Sequence, residues 1–392
     1  MLLSPYRAAA QEVFTPAEAV NLPKGEKVTN FGTIFDDWTI ELMFLADQTN
    51  KVIDVIDTSD TPTQHTVIKQ LAARPDFAGA GGANPAIAGP NGVATVPTET
   101  GRELWVSDYD AVNREGVIKV IDLNSGETTH VIPTGGVARA GALCYDPNDN
   151  VLLVANDSEG MVKSGRAPFD SLISTVNYEV LHKIRMNGRF GRPLATNGIG
   201  QCQWDQNSGN FFQNIPEVGG NGTDGRHGDL LEISSQSLHI LARFKIPKSL
   251  CDGPEGIALG PAGQALLGCA DPSGQFPSSV VVSLADGAVL NTLPGEDGAG
   301  EVWFDPNHGE GFAAYFLAIS RAGTTGKLGV VDAASGEQPS YPTAIGAHSV
   351  AVDTIFDEVY VPIPSTGGTN TCSSVAISPG VDANGCIMVF TN

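Results

Sequence analysis

The sequence predicts an all-β fold, a seven-bladed β-propeller of four-stranded antiparallel blades. The first observation is a short phrase that recurs six times: Asn91-Gly-Val-Ala-Thr-Val, Gly141-Ala-Leu-Cys-Tyr-Asp, Gly200-Gln-Cys-Gln-Trp-Asp, Glu255-Gly-Ile-Ala-Leu-Gly, Gly300-Glu-Val-Trp-Phe-Asp and His348-Ser-Val-Ala-Val-Asp. Successive copies begin about 45–60 residues apart, the period of a propeller blade. Behind most copies come a turn rich in Asp, Pro, Asn and Gly, a second apolar strand, and a third strand that ends in a turn.

The six copies give six blades, and the N-terminal region supplies another. There, Trp38–Asp47, Lys51–Asp57 and Thr66–Leu71 read as later strands, with the innermost strand near Val28–Ile34. Six or eight blades stay open as alternatives, because this first blade lacks the phrase. The clearest second strands are Glu103–Asp108, Val151–Asn156 and Glu358–Pro362. Third strands are plainest in Val117–Asp122, Val280–Ala285 and Leu328–Asp332. Cys386–Asn392 reads as a third strand with nothing after it, so the segment around Glu12–Phe14 is expected to donate the fourth. Such a closure removes two sheet edges and ties down both termini. Helical patterning is almost absent, apart from a helix-like turn expected near Pro168–Ser174. No linker or low-complexity tract divides the chain, so residues 1–392 are expected to form one domain.

The formal net charge is −22, from 44 acidic and 22 basic residues, which disfavours nucleic acid as a partner. No apolar run reaches membrane-spanning length and no basic amphipathic helix suggests a membrane surface. Cys372 and Cys386 bracket a loop suited to a disulfide, and Cys251 and Cys269 lie towards one face of one blade. Cys144 and Cys202, on innermost strands of adjacent blades, are read either as a third disulfide or as two buried thiols. No CxxC or Cys/His metal spacing occurs. Sequons at Asn156 and Asn221, with the even cysteine count, point to a secreted or secretory-pathway glycoprotein of a eukaryote. Met1–Pro5 is too short in apolar length for a signal peptide, so a leader is expected to have been removed.

Propeller topology places the strand two-to-three and blade-to-blade connections on one face, the mouth. The long insertions, at 72–90, 157–178, 217–228, 271–278 and 364–385, all fall there. The phrase openings bring polar residues to that mouth: Asn91, Gln201, Glu255, Glu301 and His348. They read either as an acid/base and hydrogen-bonding set or as the lining of a hydrated channel. His348 and Glu255 rank first as catalytic candidates because they titrate usefully. Second-strand ends add Asp47, Asp108, Tyr109, Asn156, Asp157, Asp271 and Arg321. These are candidate substrate contacts or, for the repeated Asp/Asn, turn residues bonding their own backbone. Arg139 and the Arg226–His227 pair are mouth-side candidates for binding an oxyanion. His65, His130, His182, His239 and His308 carry no assigned role. There is no GxSxG elbow, HExxH pair, P-loop or dinucleotide fingerprint, which favours chemistry without a cofactor, or plain binding.

Gly89–Val96, Gly253–Gly260 and Ala347–Asp353 resemble phrases of the YVTN/NHL and SMP-30-like propeller superfamily. The SMP-30-like lactonases hold a divalent metal with a Glu from an early blade and later Asn and Asp residues. Here the Glu-Gly-Pro entry of the first blade is missing, and Asn91 and Glu255 are partial counterparts. In outline the chain is also similar to strictosidine-synthase-like propellers, which use a pocket Glu. The paired cysteines, sequons and enlarged mouth loops more narrowly resemble the fungal propeller hetero-Diels–Alderases of tropolonic sesquiterpenoid biosynthesis. That resemblance implies a pericyclase that needs no cofactor or metal. Its implied substrates are an o-quinone-methide tropolone, of polyketide origin, and a humulene-type terpene. A secreted propeller that only binds a ligand or protein is the non-enzymatic alternative.

Overall fold

The computed structural model describes residues 14–23, 25–59, 65–163, 165–222, 224–270, 279–293, 299–306, 314–319, 326–336, 339–365, 372 and 385–391. They form seven four-stranded sheets, all paired antiparallel, arranged as the blades of a propeller. From the channel outwards, blade 1 is Phe31–Asp37, Leu42–Asp47, Val52–Asp57 and Thr66–Leu71. Blade 2 is Val93–Thr98, Gly101–Asp110, Glu115–Asp122 and Thr128–Pro133. Blade 3 is Leu143–Asp146, Val151–Asn156, Phe169–Ser174 and Glu179–Arg185, and blade 4 is Cys202–Asp205, Asn210–Ile215, His227–Ser234 and His239–Pro247. Blade 5 is Pro254–Leu259, Gln264–Cys269, Ser279–Ser283 and Val289–Leu293, and blade 6 is Val302–Asp305, Tyr315–Ile319, Lys327–Asp332 and Ser340–Pro342. Blade 7 is Ala351–Asp353, Glu358–Ile363 and Cys386–Thr391, completed by Thr15–Asn21 from the start of the chain.

The donated strand lies just beyond the expected segment. Thr15 pairs with Thr391 and Asn21 with Cys386, while Glu12 and Val13 lie outside the described residues. In blade 1, the sequence expectation starts the first strand too early and makes the second too long. Residues 38–41 form a turn in which Glu41 takes a positive φ of 55°, and the second strand begins at Leu42.

Each seam between neighbouring blades is an apolar cluster, and second strands feed two seams at once. Leu152 packs towards blade 2 and Leu153 towards blade 4; Leu266 and Leu267, and Phe316 and Leu317, divide in the same way. A strand buried on both faces gains nothing from polar alternation, so these strands read as continuous apolar runs. The recurring phrase has a mechanical origin. A Cβ on Gly92 would sit 2.5 Å from the Gly141 carbonyl oxygen, and one on Gly200 would sit 2.5 Å from that of Glu255. Innermost strands crowd together at the mouth, and glycine lets the backbones approach. At the other end the phrase's Asp closes a turn: Asp146 Oδ1 accepts from Asn148 N–H (2.7 Å), and Asp353 Oδ1 from Ile355 N–H (2.8 Å).

The helical turn expected near Pro168–Ser174 is not there. Phe169–Ser174 is the third strand of blade 3, so the insertion before it ends at Pro168. Its polar residues disguise it: Ser171 Oγ donates to Thr134 O (3.0 Å), and burial pushes the Asp170 carboxyl up to about 8. The only α-helix among the described residues, Glu159–Val162, lies inside that insertion. No helix there is long and apolar enough to cross a membrane.

All three cysteine pairs form disulfides: Cys144–Cys202 between blades 3 and 4, Cys251–Cys269 within blade 5, and Cys372–Cys386 at blade 7. Their Cα separations are 5.9, 5.3 and 6.4 Å. Three disulfides accord with folding in an oxidising compartment.

Candidate functional site

The mouth opens into a cavity of about 830 Å³ lined from several blades. Asn91, Arg139, Gln201, Glu255, Glu301 and His348 all line it, as do Asp157 and Arg166 from the blade 3 insertion. Phe31, Phe35, Leu143, Met161, Ile199 and Trp303 give it an apolar wall. A cavity of this size, with apolar walls and a few convergent polar groups, suits a small organic molecule.

The polar residues divide by what they already hold. Asn91 is 4% exposed; its Oδ1 accepts from Gln48 Nε2 (2.8 Å) and from Arg139 Nη1, and its Nδ2 donates to Ala88 O (3.0 Å). Gln201 reaches across two seams: its Oε1 accepts from Ile257 N–H (2.9 Å) and Val302 N–H (3.2 Å). Gln203 reaches across one seam, its Oε1 accepting from Leu259 N–H (2.9 Å). Innermost strands are sheet edges turned to the channel, and these amides satisfy backbone donors that the ladder leaves over. Gln201 is thus a brace between blades 4, 5 and 6, and Asn91 positions Arg139.

His348 precedes the first strand of blade 7 and stacks on Phe31, with centroids 4.3 Å apart and planes 5° apart. Its Nδ1 lies 2.8 Å from the Gly346 carbonyl. A carbonyl only accepts, so Nδ1 carries the proton and the neutral ring has its basic nitrogen at Nε2. Glu301 accepts a hydrogen bond from Ser349 Oγ, which in turn accepts from Ile34 N–H (2.9 Å). Glu255 sits in the first strand of blade 5 and accepts Gln201 N–H through its own carbonyl (2.8 Å). His348, Glu301 and Glu255 therefore open blades 7, 6 and 5, side by side on one wall of the cavity.

Other sequence candidates do not reach the cavity. Asp108 is fully buried in an ion pair with Lys119 Nζ (2.6 Å), and Lys119 also donates to Pro75 O and Asp76 O (both 2.8 Å). Burial raises the Asp108 carboxyl while Lys119 opposes that, and the pair anchors the 72–90 loop away from the cavity. Tyr109 is buried beside it. Asn156 is fully buried: its Oδ1 accepts from Thr134 Oγ1 (2.6 Å) and its Nδ2 donates to Ser171 Oγ (3.1 Å). Its amide is held inside the sheet, away from the cavity. Asp271, Arg321 and His308 lie outside the described residues. Arg226 is exposed, and His227 lines a separate small pocket by Glu217. Asn221 is exposed, so peptide mapping of the protein expressed through a eukaryotic secretory pathway is expected to find N-glycan there and none at Asn156. A glycan on Asn156 would contradict its buried hydrogen bonding.

Glu159, in the helix of the blade 3 insertion, escapes sequence reasoning because it has no counterpart in other blades. Its buried carboxylate accepts from Val137 N–H (2.6 Å) and Ala138 N–H (3.0 Å), and Arg166 Nη1 binds it at 2.9 Å. It ties together the two loops that carry Arg139 and Arg166. Among the described residues, no three His, Cys, Asp or Glu side chains are grouped to hold a metal. Asn91, the partial counterpart of a lactonase ligand, has its Oδ1 against a guanidinium, which opposes a cation there.

A scan of protein-family models gives no match, and neither does a search of curated proteins. Among solved structures, the Dos1 propeller is similar over 93% of this chain and 78% of its own, with a TM-score of 0.52 and 8% identity. Hydrazine synthase of Kuenenia stuttgartiensis is similar over 82% of this chain and 98% of its own, with a TM-score of 0.48 and 12% identity. At such identities the likeness to the Dos1 propeller speaks to the propeller fold alone.

Proposed function

We propose that the mouth cavity is the active site of a small-molecule enzyme that works without a cofactor, a hetero-Diels–Alderase of a fungal secretory natural-product pathway. The observation that supports it best is the cavity itself: about 830 Å³, with aromatic and aliphatic walls and a rim of polar groups from blades 2 to 7. Such a chamber presses an electron-poor heterodiene against an alkene, and holding both removes much of the entropic barrier to cycloaddition. A hydroxylated precursor loses water to give the o-quinone methide. One residue takes the proton from the ring hydroxyl and an acid protonates the departing hydroxyl, so charge balances. His348 and Glu255 are the residues assigned to this proton traffic, and Arg139 to the ring oxygen. The three disulfides and the exposed sequon at Asn221 support the secretory assignment.

Incubating the purified protein with an o-quinone-methide precursor and a humulene-type alkene tests the reading. The expected result is one stereoisomer of the dihydropyran adduct, formed well above the background rate. A racemic adduct at the background rate overturns it. Turnover of a lactone that stops with chelator and returns with a divalent ion would place the chain with the metal-dependent hydrolases instead.

A further inference from the structure

The charged groups of the cavity are sorted by side. Arg139, Asp157 and Arg166 belong to the connection between blades 2 and 3 and to blade 3 itself; Glu255, Glu301 and His348 open blades 5, 6 and 7. In a ring of seven, the seam between blades 2 and 3 faces blade 6. Among the described residues of the lining, both guanidiniums thus lie across the channel from both glutamates.

Arg139 is built in. Its backbone N–H donates to Ala86 O (2.8 Å), and the two residues before it are pinned through their amides by the buried Glu159 carboxylate. Its Nη1 is oriented by Asn91 Oδ1, which Gln48 holds from the other side. The link to Asp157 is loose, with Nη2 to Oδ2 at 3.5 Å, and Oδ2 also accepts from Ser158 Oγ (3.0 Å). Arg139 Nε, a buried donor, has no protein partner, and neither does Asp157 Oδ1. The Arg139 side chain keeps 23% of its surface exposed on the cavity wall, so a guanidinium clamped at one edge by Asn91 still offers its open part to an acceptor from the cavity.

Resting on the small-molecule reading above, we infer that Arg139 is the oxyanion subsite that sets substrate class: an organic anion, carboxylate or enolate, whose apolar body spans the channel to the acid/base wall. Asp157 keeps the empty site neutral and trims affinity, so selectivity comes from geometry as well as charge.

The test uses 2-naphthoate and its neutral isostere 2-naphthamide, with dissociation constants measured by calorimetry or ligand-detected NMR. Wild-type protein is expected to bind the anion about tenfold more tightly than the amide. Arg139→Met is expected to erase that preference by weakening anion binding more than amide binding, and Asp157→Asn to widen it by about two- to threefold. Equal binding of both probes by the wild type, or a preference that survives Arg139→Met, overturns the subsite and leaves the cavity reading standing. Failure of both probes to bind overturns the two together.

Discussion

Replacing His348 with Gln is expected to lower turnover by about two orders of magnitude, the usual worth of a positioned acid or base. Two contacts fix how the imidazole is presented. The Gly346 carbonyl holds the proton on Nδ1, and Phe31 supports the ring face. Glutamine keeps polarity and approximate size but cannot shuttle a proton, so the loss should fall on kcat more than on KM. His348 is half-buried at the rim and opens no large core cavity when replaced, so thermal stability should change little. Glu255→Gln is the parallel experiment from blade 5. A pure positioning role would show as a smaller loss, mainly in KM. Near-wild-type kcat in both variants would remove these residues from the mechanism and turn attention to Glu301.

Much of the architecture is legible because propeller geometry writes itself into each repeat. Gly92 and Gly200 mark where innermost strands crowd at the mouth, Asp146 and Asp353 mark the turns at the other end, and the second strands are apolar because both faces are packed. The same logic brings Asn91, Gln201, Glu255, Glu301 and His348 to one cavity. What these residues hold is not legible. Gln201 looks like a ligand-binding amide, but its job as a brace depends on backbone donors of blades 5 and 6, distant in the chain. Asp108 and Asn156 read as substrate contacts or turn residues, because polar residues at strand ends usually face solvent. Here their partners, Lys119 and Thr134, come from neighbouring strands and connections and offset the cost of burial. Phe169–Ser174 escapes as a strand for the same reason, since Asp170 is buried with a raised carboxyl pKa that no local pattern announces.

The seam that closes the ring carries the largest expected effect on stability. His65, passed over in the sequence because it looks like an outer-strand residue, is 5% exposed between blades 1 and 7. Its Nδ1 meets Glu18 Oε2 at 2.8 Å on the donated strand, and its Nε2 meets Glu358 Oε2 at 3.2 Å and Tyr360 Oη at 2.9 Å on the second strand of blade 7. Tyr360 also donates to Glu358 Oε2 (2.7 Å), and Asp57 of blade 1 adds a more distant attraction. Burial works to lower the imidazole pKa, but the two carboxylates outweigh it and push it up to about 9. Folded His65 therefore binds its proton more tightly than the unfolded chain does. Its contribution is complete below the unfolded value, near 6.5, and is lost as pH rises through about 9. The stability of the wild type should fall across that window by a few kcal/mol, at about 1.4 kcal/mol for each pH unit between the two values. His65→Ala leaves Glu18 and Glu358 buried without their cation and should cost about 3–5 kcal/mol near pH 7. Urea unfolding of both proteins from about pH 6 to 9.5 measures each effect. Because the seam joins the first and last blades, the loss should appear first as release of Thr15–Asn21, read by hydrogen exchange on that strand. Parallel stability profiles for wild type and variant would show that the imidazole is neutral in the folded protein and that the apolar cluster of the seam holds the ring closed without it.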